Sequence, residues 1–332
     1  MKQLESLFKS YTGFPARSIT ELPSSGSNRR YFRMEGEQGS LIGTLGSCKE
    51  ENKAFIVIAE HFRKQGLPVP GVYAHSRDLS CYLQQDLGDR ILYNAVEEGR
   101  SRGNYSPGEK SLLFKALEAL PALQFKGAQG LDFSVCYPQP EFDERMVSFD
   151  LNYFKYCFLK ATGLDFSEIK LENDFRKMSA VLLRDASETF LYRDFQARNV
   201  MLVNDEPYFI DFQGGRKGPI YYDVASFIWQ AKANYSDELK EELLSAYLKA
   251  LRQYTPVAEK HFYGQLRHFI LFRTLQVLGA YGFRGYFEKK PHFLQSVPFA
   301  IDNLRKLLVG HFPEYRYLSE IMGELSRMRE FS

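Results

Sequence analysis

The chain has 332 residues, 44% of them hydrophobic and 25% charged, which is ordinary for a soluble globular protein and enough for two packed lobes. Its 43 basic and 41 acidic side chains leave a net charge of +2, without the basic excess of a nucleic-acid binder. The four cysteines form neither a CxxC pair nor a zinc pattern, so they read as reduced thiols of an intracellular protein.

The start, MKQLESLFKSYTGF, has no long apolar region, and no signal peptide is expected. The most apolar late stretch, residues 268–283, is broken by Arg273 and is too short and polar to span a bilayer. A soluble, cytoplasmic protein with no membrane or nucleic-acid partner is expected.

Taken in chain order, residues 22–26 form a Pro/Ser/Gly turn. Residues 30–35 and 40–45 read as a hairpin turning at 35–39. Residues 50–65 read as a helix, with Ala54, Val57, Ile58 and Phe62 on one face. Gly66 ends it, and Pro68 and Pro70 prevent its return. Residues 72–74 and 81–85 are further strands. Beyond residue 110 the pattern is mainly helical, at 109–124, 143–161, 173–187, 222–233, 237–252, 258–281 and 293–309. Short strand-like runs interrupt it at 200–203 and 208–210. The expected fold class is α+β: a small N-terminal lobe, residues 1–87, and a larger helical lobe, residues 88–332, joined near 85–89.

The segment that carries chemistry is LYRDFQARNVMLVNDEPYFIDFQGGRKGPIYYD, residues 191–223. Asp194 is followed five residues later by Asn199, then by a strand–turn–strand run, and twelve residues after Asn199 by Asp211. Phosphoryl transfer needs a carboxylate to take the acceptor hydroxyl's proton and hard oxygen ligands for Mg²⁺. Each residue alone would read as a turn former or helix cap. The joint order points to Asp194 as base and to Asn199 and Asp211 as metal ligands.

These residues resemble the aminoglycoside phosphotransferase and choline kinase superfamily, and within it the bacterial anomeric sugar kinases acting on N-acetylmuramate and N-acetylglucosamine. The resemblance rests on RDFQARN (193–199), IDFQGGRKGPIYYDVAS (210–226) and NRRYFRM (28–34). It extends through ENKAFIVIAEHFRKQGLPVP (51–70) and YLQQDLGD (82–89), covering most of residues 20–230. It implies a bilobal protein-kinase-like fold, ATP or GTP with Mg²⁺ as cofactors, and transfer of the γ-phosphate to a hydroxyl of a small molecule.

By that resemblance Ser25, Gly26, Ser27 and Asn28 form a loop over the nucleotide phosphates, and Arg29 adds a phosphate contact. Gln84 to Leu87, including Asp86, takes the place of the hinge that holds the adenine edge. Glu50 or Glu51 takes the place of the family's helix glutamate. Arg198 either reaches a phosphate or carboxylate or serves an internal ion pair. Asp223 either braces the catalytic loop or caps the following helix.

Three departures stand out. The strand 41–45 has no lysine, leaving Lys49 or Arg29 to supply that charge. Tyr192 replaces a histidine as a packing residue, and Gln213 replaces a glycine. The acceptor candidates are Asp143 and Asp150, seven apart on one helical face, with Asn152 and Arg284. The neutral net charge and the resemblance favour a sugar, neutral or acidic, over an aminoglycoside or choline. A nucleotide-binding pseudokinase scaffold is the reading of another class.

Overall fold

The computed structural model describes residues 1–23, 29–185, 187–233, 235–308 and 312–328. A helix, α1 (Lys2–Thr12), and a strand, β1 (Ser18–Leu22), precede the hairpin of β2 (Arg30–Gly36) and β3 (Gly39–Leu45). After α2 (Lys49–Lys64) come β4 (Val72–His75) and β5 (Cys81–Gln85). All five strands pair antiparallel in the order β1-β2-β3-β5-β4.

The period of two decides the two faces of this sheet. Phe32 and Met34 of β2 with Cys81 and Leu83 of β5 face α1, where they close a small core with Leu4 and Phe8. Burying each of these two helix side chains stabilises by roughly 1.5–3 kcal/mol. Gly43 lies under α1: a Cβ there would stand 2.7 Å from Met34 Sδ and 2.8 Å from Leu4 Cδ2. Tyr82, on the opposite face, belongs to the main core. Its ring stacks on Phe55 of α2 at 5.1 Å, and Phe55 stacks on Phe212 at 4.9 Å. The core therefore runs from one lobe to the other through α2.

The second lobe begins with α3 (Leu92–Ala95), α4 (Glu97–Arg102), α5 (Pro107–Glu118), α6 (Leu120–Ala128), α7 (Glu144–Phe154) and α8 (Glu168–Leu182). Four short strands follow: β6 (Thr189–Leu191), β7 (Val200–Val203), β8 (Glu206–Phe209) and β9 (Arg216–Gly218). It ends with α9 (Tyr221–Ile228), α10 (Asp237–Leu251), α11 (Glu259–Gly282), α12 (Pro291–Leu294), α13 (Val297–Leu308) and α14 (Arg316–Arg327). Strands β7 and β8 form a hairpin whose turn residues Asn204 and Asp205 have φ of 53° and 62°, the left-handed pair that two-residue hairpin turns require. Helix α11 packs closely on α7 at Gly279 and on the turn after α7 at Gly282, where a Cβ would lie 2.2 Å from the Cys157 carbonyl oxygen.

Several boundaries differ from the sequence reading for local reasons. The helix expected at 173–187 is α8, because Ser167 caps its N-terminus by accepting the Lys170 N–H at 3.4 Å. Asp143 is likewise the N-cap of α7, accepting the Met146 N–H at 2.9 Å, rather than a residue of that helix's face. The helix expected at 222–233 stops at Ile228, and the one at 293–309 is the pair α12 and α13. Helices α1 and α14, strand β1 and the β6–β9 pair are additions. Among the described residues, no helix is long and apolar enough to cross a membrane.

Candidate active site

The loop between β6 and β7 carries Asp194, and the turn after β8 carries Asp211. Both segments hold a non-glycine residue in the left-handed region: Arg193 at φ 76° and Asp211 at φ 67°. Such positions cost about 1–3 kcal/mol each and persist only where neighbours fix them. Here Asp223 does much of the fixing. Its Oδ2 accepts the Tyr192 N–H at 2.8 Å and its Oδ1 the Arg193 N–H at 2.9 Å. The Ile210 N–H donates to the Asn199 carbonyl at 3.1 Å, and the Tyr192 hydroxyl donates to the Ile210 carbonyl. Tyr192 is buried, with its ring edge-on to Phe195 and Phe212, so it packs as expected. Of the two readings of Asp223, the structure shows the brace: α9 is capped by Ile220, and Asp223 lies within the helix, fully buried.

Asn199 Nδ2 donates to the Asp194 carbonyl at 2.8 Å and stands 3.5 Å from Asp211 Oδ2. Its Oδ1 accepts no hydrogen bond among the described residues. Gln213, where a glycine was the expected type, donates to Asp211 Oδ1 at 2.8 Å and so sets that carboxylate's orientation. The Asp194 carboxyl titrates above its ordinary value. Burial is the main cause and the Asp211 charge adds to it, against the pull of Arg193, Arg273 and Arg216. That is the direction a general base needs. No three His, Cys, Asp or Glu side chains gather into a metal cage among the described residues. One carboxylate and one amide oxygen instead suit Mg²⁺, which is commonly held by one or two carboxylates plus substrate phosphates.

Arg29 brings a cation beside Asp211. Its Nη2 lies 3.0 Å from Glu51 Oε1 and 3.5 Å from Asp211 Oδ1, and the side chain is only 3% exposed. Of the two glutamates opening α2, Glu51 is thus the one turned to the site, and Glu50 meets the Cys48 thiol at 3.5 Å. Lys49 is exposed and 3.9 Å from Asp78, away from this cluster.

Among the other nucleotide candidates, Ser25, Gly26, Ser27 and Asn28 lie outside the described residues. Gln84 is buried on β5 and donates to Thr44 Oγ at 3.3 Å. The Asp86 carboxylate is engaged by neighbouring protein groups. It is filled by Arg33 at 2.7 and 3.1 Å, Ser40 Oγ at 2.7 Å and the Gly88 N–H at 2.9 Å, a latch that ties β2 and β3 to the linker.

The acceptor candidates are dispersed. Asp150, 1% exposed, gives both oxygens to Arg193 at 3.0 and 3.2 Å and so supports the catalytic loop from behind. Asp143 caps α7 and accepts from Gln139 at 2.8 Å. Arg284 pairs with Glu288 at 2.7 Å. Asn152 lies half-buried on α7.

A narrow cleft with about 30 Å³ of free space, room for about one water, lies beside the catalytic loop, lined by Gln196, Arg198, Trp229, Lys232, Arg273 and Tyr281 among others. Arg198 lies over the Tyr93 ring at 5.9 Å and forms no ion pair among the described residues. Lys232, Arg273 and Tyr281 were not singled out as site residues from sequence. The one usable signal was Arg273, a lone cation in an apolar helix. A larger, more open groove of about 680 Å³ between α5 and α10, rich in glutamate, shares no residue with the catalytic segment.

The sequence profile of the phosphotransferase enzyme family matches residues 18–259. The chain is similar to the N-acetylmuramate/N-acetylglucosamine kinase of Pseudomonas aeruginosa, 26% identical over 324 residues, covering 95% of this chain and 91% of that protein. It is similar to the protein of that name from Neisseria meningitidis serogroup B, 26% identical over 330 residues, covering 94% of each. Among solved structures it is similar to ADP-bound aminoglycoside phosphotransferase APH(2'')-Ib, with a TM-score of 0.60, 15% identity, and coverage of 95% of this chain and 97% of that one. A choline/ethanolamine kinase family protein from Mesorhizobium loti gives a TM-score of 0.59 at 15% identity, covering 97% of each. At these identities the solved structures show a shared bilobal, protein-kinase-like fold.

Proposed function

Since the chain belongs to the phosphotransferase enzyme family, a small-molecule kinase acting on an alcohol group, we propose that it moves the γ-phosphate of ATP, with Mg²⁺, to the anomeric hydroxyl of an amino sugar. In this reading residues 1–87 cover the nucleotide and residues 88–332 supply the catalytic loop and acceptor cleft. Asp194 accepts the hydroxyl proton as the oxygen attacks phosphorus in line. Asn199 Oδ1 and Asp211 would hold the metal, which when bound neutralises charge on the β- and γ-phosphates. Arg29, fixed by Glu51, brings a permanent cation to the same place. Asp223, Asp150 and Gln213 position these groups and touch no reacting atom. Most of the rate then comes from orientation and charge neutralisation, without a covalent enzyme intermediate.

The observation that carries the reading is the approach of Asn199 and Asp211 beside the Asp194 backbone. The choice of a sugar rests on the relatives' names. The pseudokinase reading drew on the missing lysine and on Tyr192, and the Arg29 cation beside Asp211 weighs against it. The test is ADP release with Mg-ATP and a panel of N-acetylglucosamine, N-acetylmuramate, choline and an aminoglycoside. Turnover with an amino sugar is expected. Turnover with choline or the aminoglycoside alone would move the enzyme to another branch.

A further inference from the structure

Two glycines follow Gln213 in the turn between Asp211 and β9, and their surroundings differ. Packing demands Gly215, because a Cβ there would stand 2.1 Å from Phe190 Cζ. Gly214 is under no such demand. Its φ lies outside the left-handed region, and a Cβ built on it would meet Arg193 Cδ at 3.8 Å and Asp194 Oδ2 at 3.9 Å, both ordinary contacts. Neither backbone conformation nor crowding therefore requires glycine at 214. A glycine that alanine could replace lowers stability, because it widens the unfolded ensemble. What sets Gly214 apart is the place of the missing side chain, directly beside the carboxylate of the base.

The turn is held where it is. Arg216, 1% exposed, directs its Nε and Nη2 at the Gly214 carbonyl, at 3.2 and 2.8 Å. The Gly215 N–H donates to the Phe212 carbonyl at 2.9 Å. Gly214 and Asp194 are both partly exposed, and the Asp194 carboxylate accepts no hydrogen bond among the described residues. The neighbouring Asp211, whose Oδ1 is taken by Gln213, marks the metal side of the base. Beyond Gly214 the chain runs into β9, where Lys217 bonds to Pro140 and Phe142 of the large lobe. A hydroxyl that gives its proton to Asp194 must stand about 2.6–3.2 Å from it. On the Gly214 side, that oxygen and the carbon bearing it would occupy the volume that a side chain would fill.

We infer that Gly214 is a specificity-determining position of the acceptor site. The acceptor reaches Asp194 along the bare main chain of Gly214. The missing side chain admits a hydroxyl carried on a ring carbon, which is bulkier beside the oxygen than the methylene of a primary alcohol. This inference rests on the sugar-kinase reading above, with Asp194 as base, and adds the residue that decides which hydroxyls reach that base.

Gly214→Ala and Gly214→Val test this in the full chain, with Mg-ATP and the faster of N-acetylglucosamine and N-acetylmuramate as acceptor. The sugar's kcat/KM should fall roughly tenfold in Gly214→Ala and about a further tenfold in Gly214→Val, the range of a methylene misfit in a binding pocket. KM for ATP and the calorimetric Kd for Mg-ADP should stay within about twofold of the parent chain. The Tm of Gly214→Ala should equal or exceed the parent's, since the substitution narrows the unfolded ensemble without strain. A sugar kcat/KM kept within about threefold in both variants overturns the inference. So does an equal loss in KM for ATP, or a lowered Tm in Gly214→Ala, because either gives the glycine a structural role instead. Absence of transfer from the parent chain to either sugar overturns the underlying sugar reading and this inference with it; the parent alone shows which has failed.

Discussion

The Arg29 guanidinium stands 3.5 Å from the Asp211 carboxylate. With Glu51 on its other side at 3.0 Å, it joins helix α2 of the small lobe to the turn after β8 in the large one. This arrangement places a cation where β3 has none. Arg29→Met should raise KM for ATP by roughly ten- to hundredfold, the range of one lost charge-assisted hydrogen bond, and lower kcat as well. Arg29→Lys should recover part of both, because it keeps the charge but not the fork. Steady-state kinetics at varied ATP check this; an unchanged KM in Arg29→Met would remove Arg29 from the nucleotide site.

Metal dependence should separate the two aspartates. Calorimetric titration with ADP, with and without Mg²⁺, should show tighter binding with metal in the parent chain and in Asp194→Ala. Asp211→Ala should lose that difference. Asn199→Ala should lose part of it, since one of two protein oxygens remains. Equal loss in Asp194→Ala and Asp211→Ala would contradict the division between base and metal ligand.

Asp223 gives a pH signature. Burial pushes its carboxyl from 3.8 up to about 7, against the opposing effect of the two backbone N–H groups it accepts. The native state then binds this proton more tightly than the unfolded chain. Its contribution to stability is present below about pH 4 and is lost as pH rises through about 7, with a slope of up to about 1.4 kcal/mol per pH unit. Asp223→Asn removes the titration. It also leaves one amide oxygen for two N–H donors, costing about 1–3 kcal/mol. Urea unfolding of both proteins from pH 5 to pH 8 should show the variant's deficit narrowing as pH rises. A constant or widening deficit would contradict the raised carboxyl.

The hairpin of β2 and β3, helix α2 and the β7–turn–β8 run were legible in sequence because turn residues punctuate them and their periods are clean. The same punctuation brought Asp194, Asn199 and Asp211 into one reading. Helix α1 was missed because it buries only Leu4 and Phe8, too few apolar positions for a helical period to stand out. The fate of Asp150 was hidden because its partner Arg193 lies 43 residues away, and a buried acid at helical spacing looks the same whether it meets a ligand or an arginine. Asp86 misled similarly, since Arg33 and Ser40 reach it across the sheet. The cleft beside the catalytic loop draws on that loop, the end of α9 and the middle of α11. No local pattern joins those segments; only the packing of α9 against α11 does.

The central claim, phosphate transfer from ATP to a sugar with Asp194 as base, is tested most directly by phosphorus NMR of the product. The chain, Mg-ATP and N-acetylmuramate or N-acetylglucosamine should give a new phosphate signal coupled to an anomeric proton. Asp194→Ala should slow its appearance by about 10²–10⁴-fold while still binding ADP with Mg²⁺. A new signal that grows equally fast with Asp194→Ala, or no sugar phosphate from either amino sugar, would contradict the account.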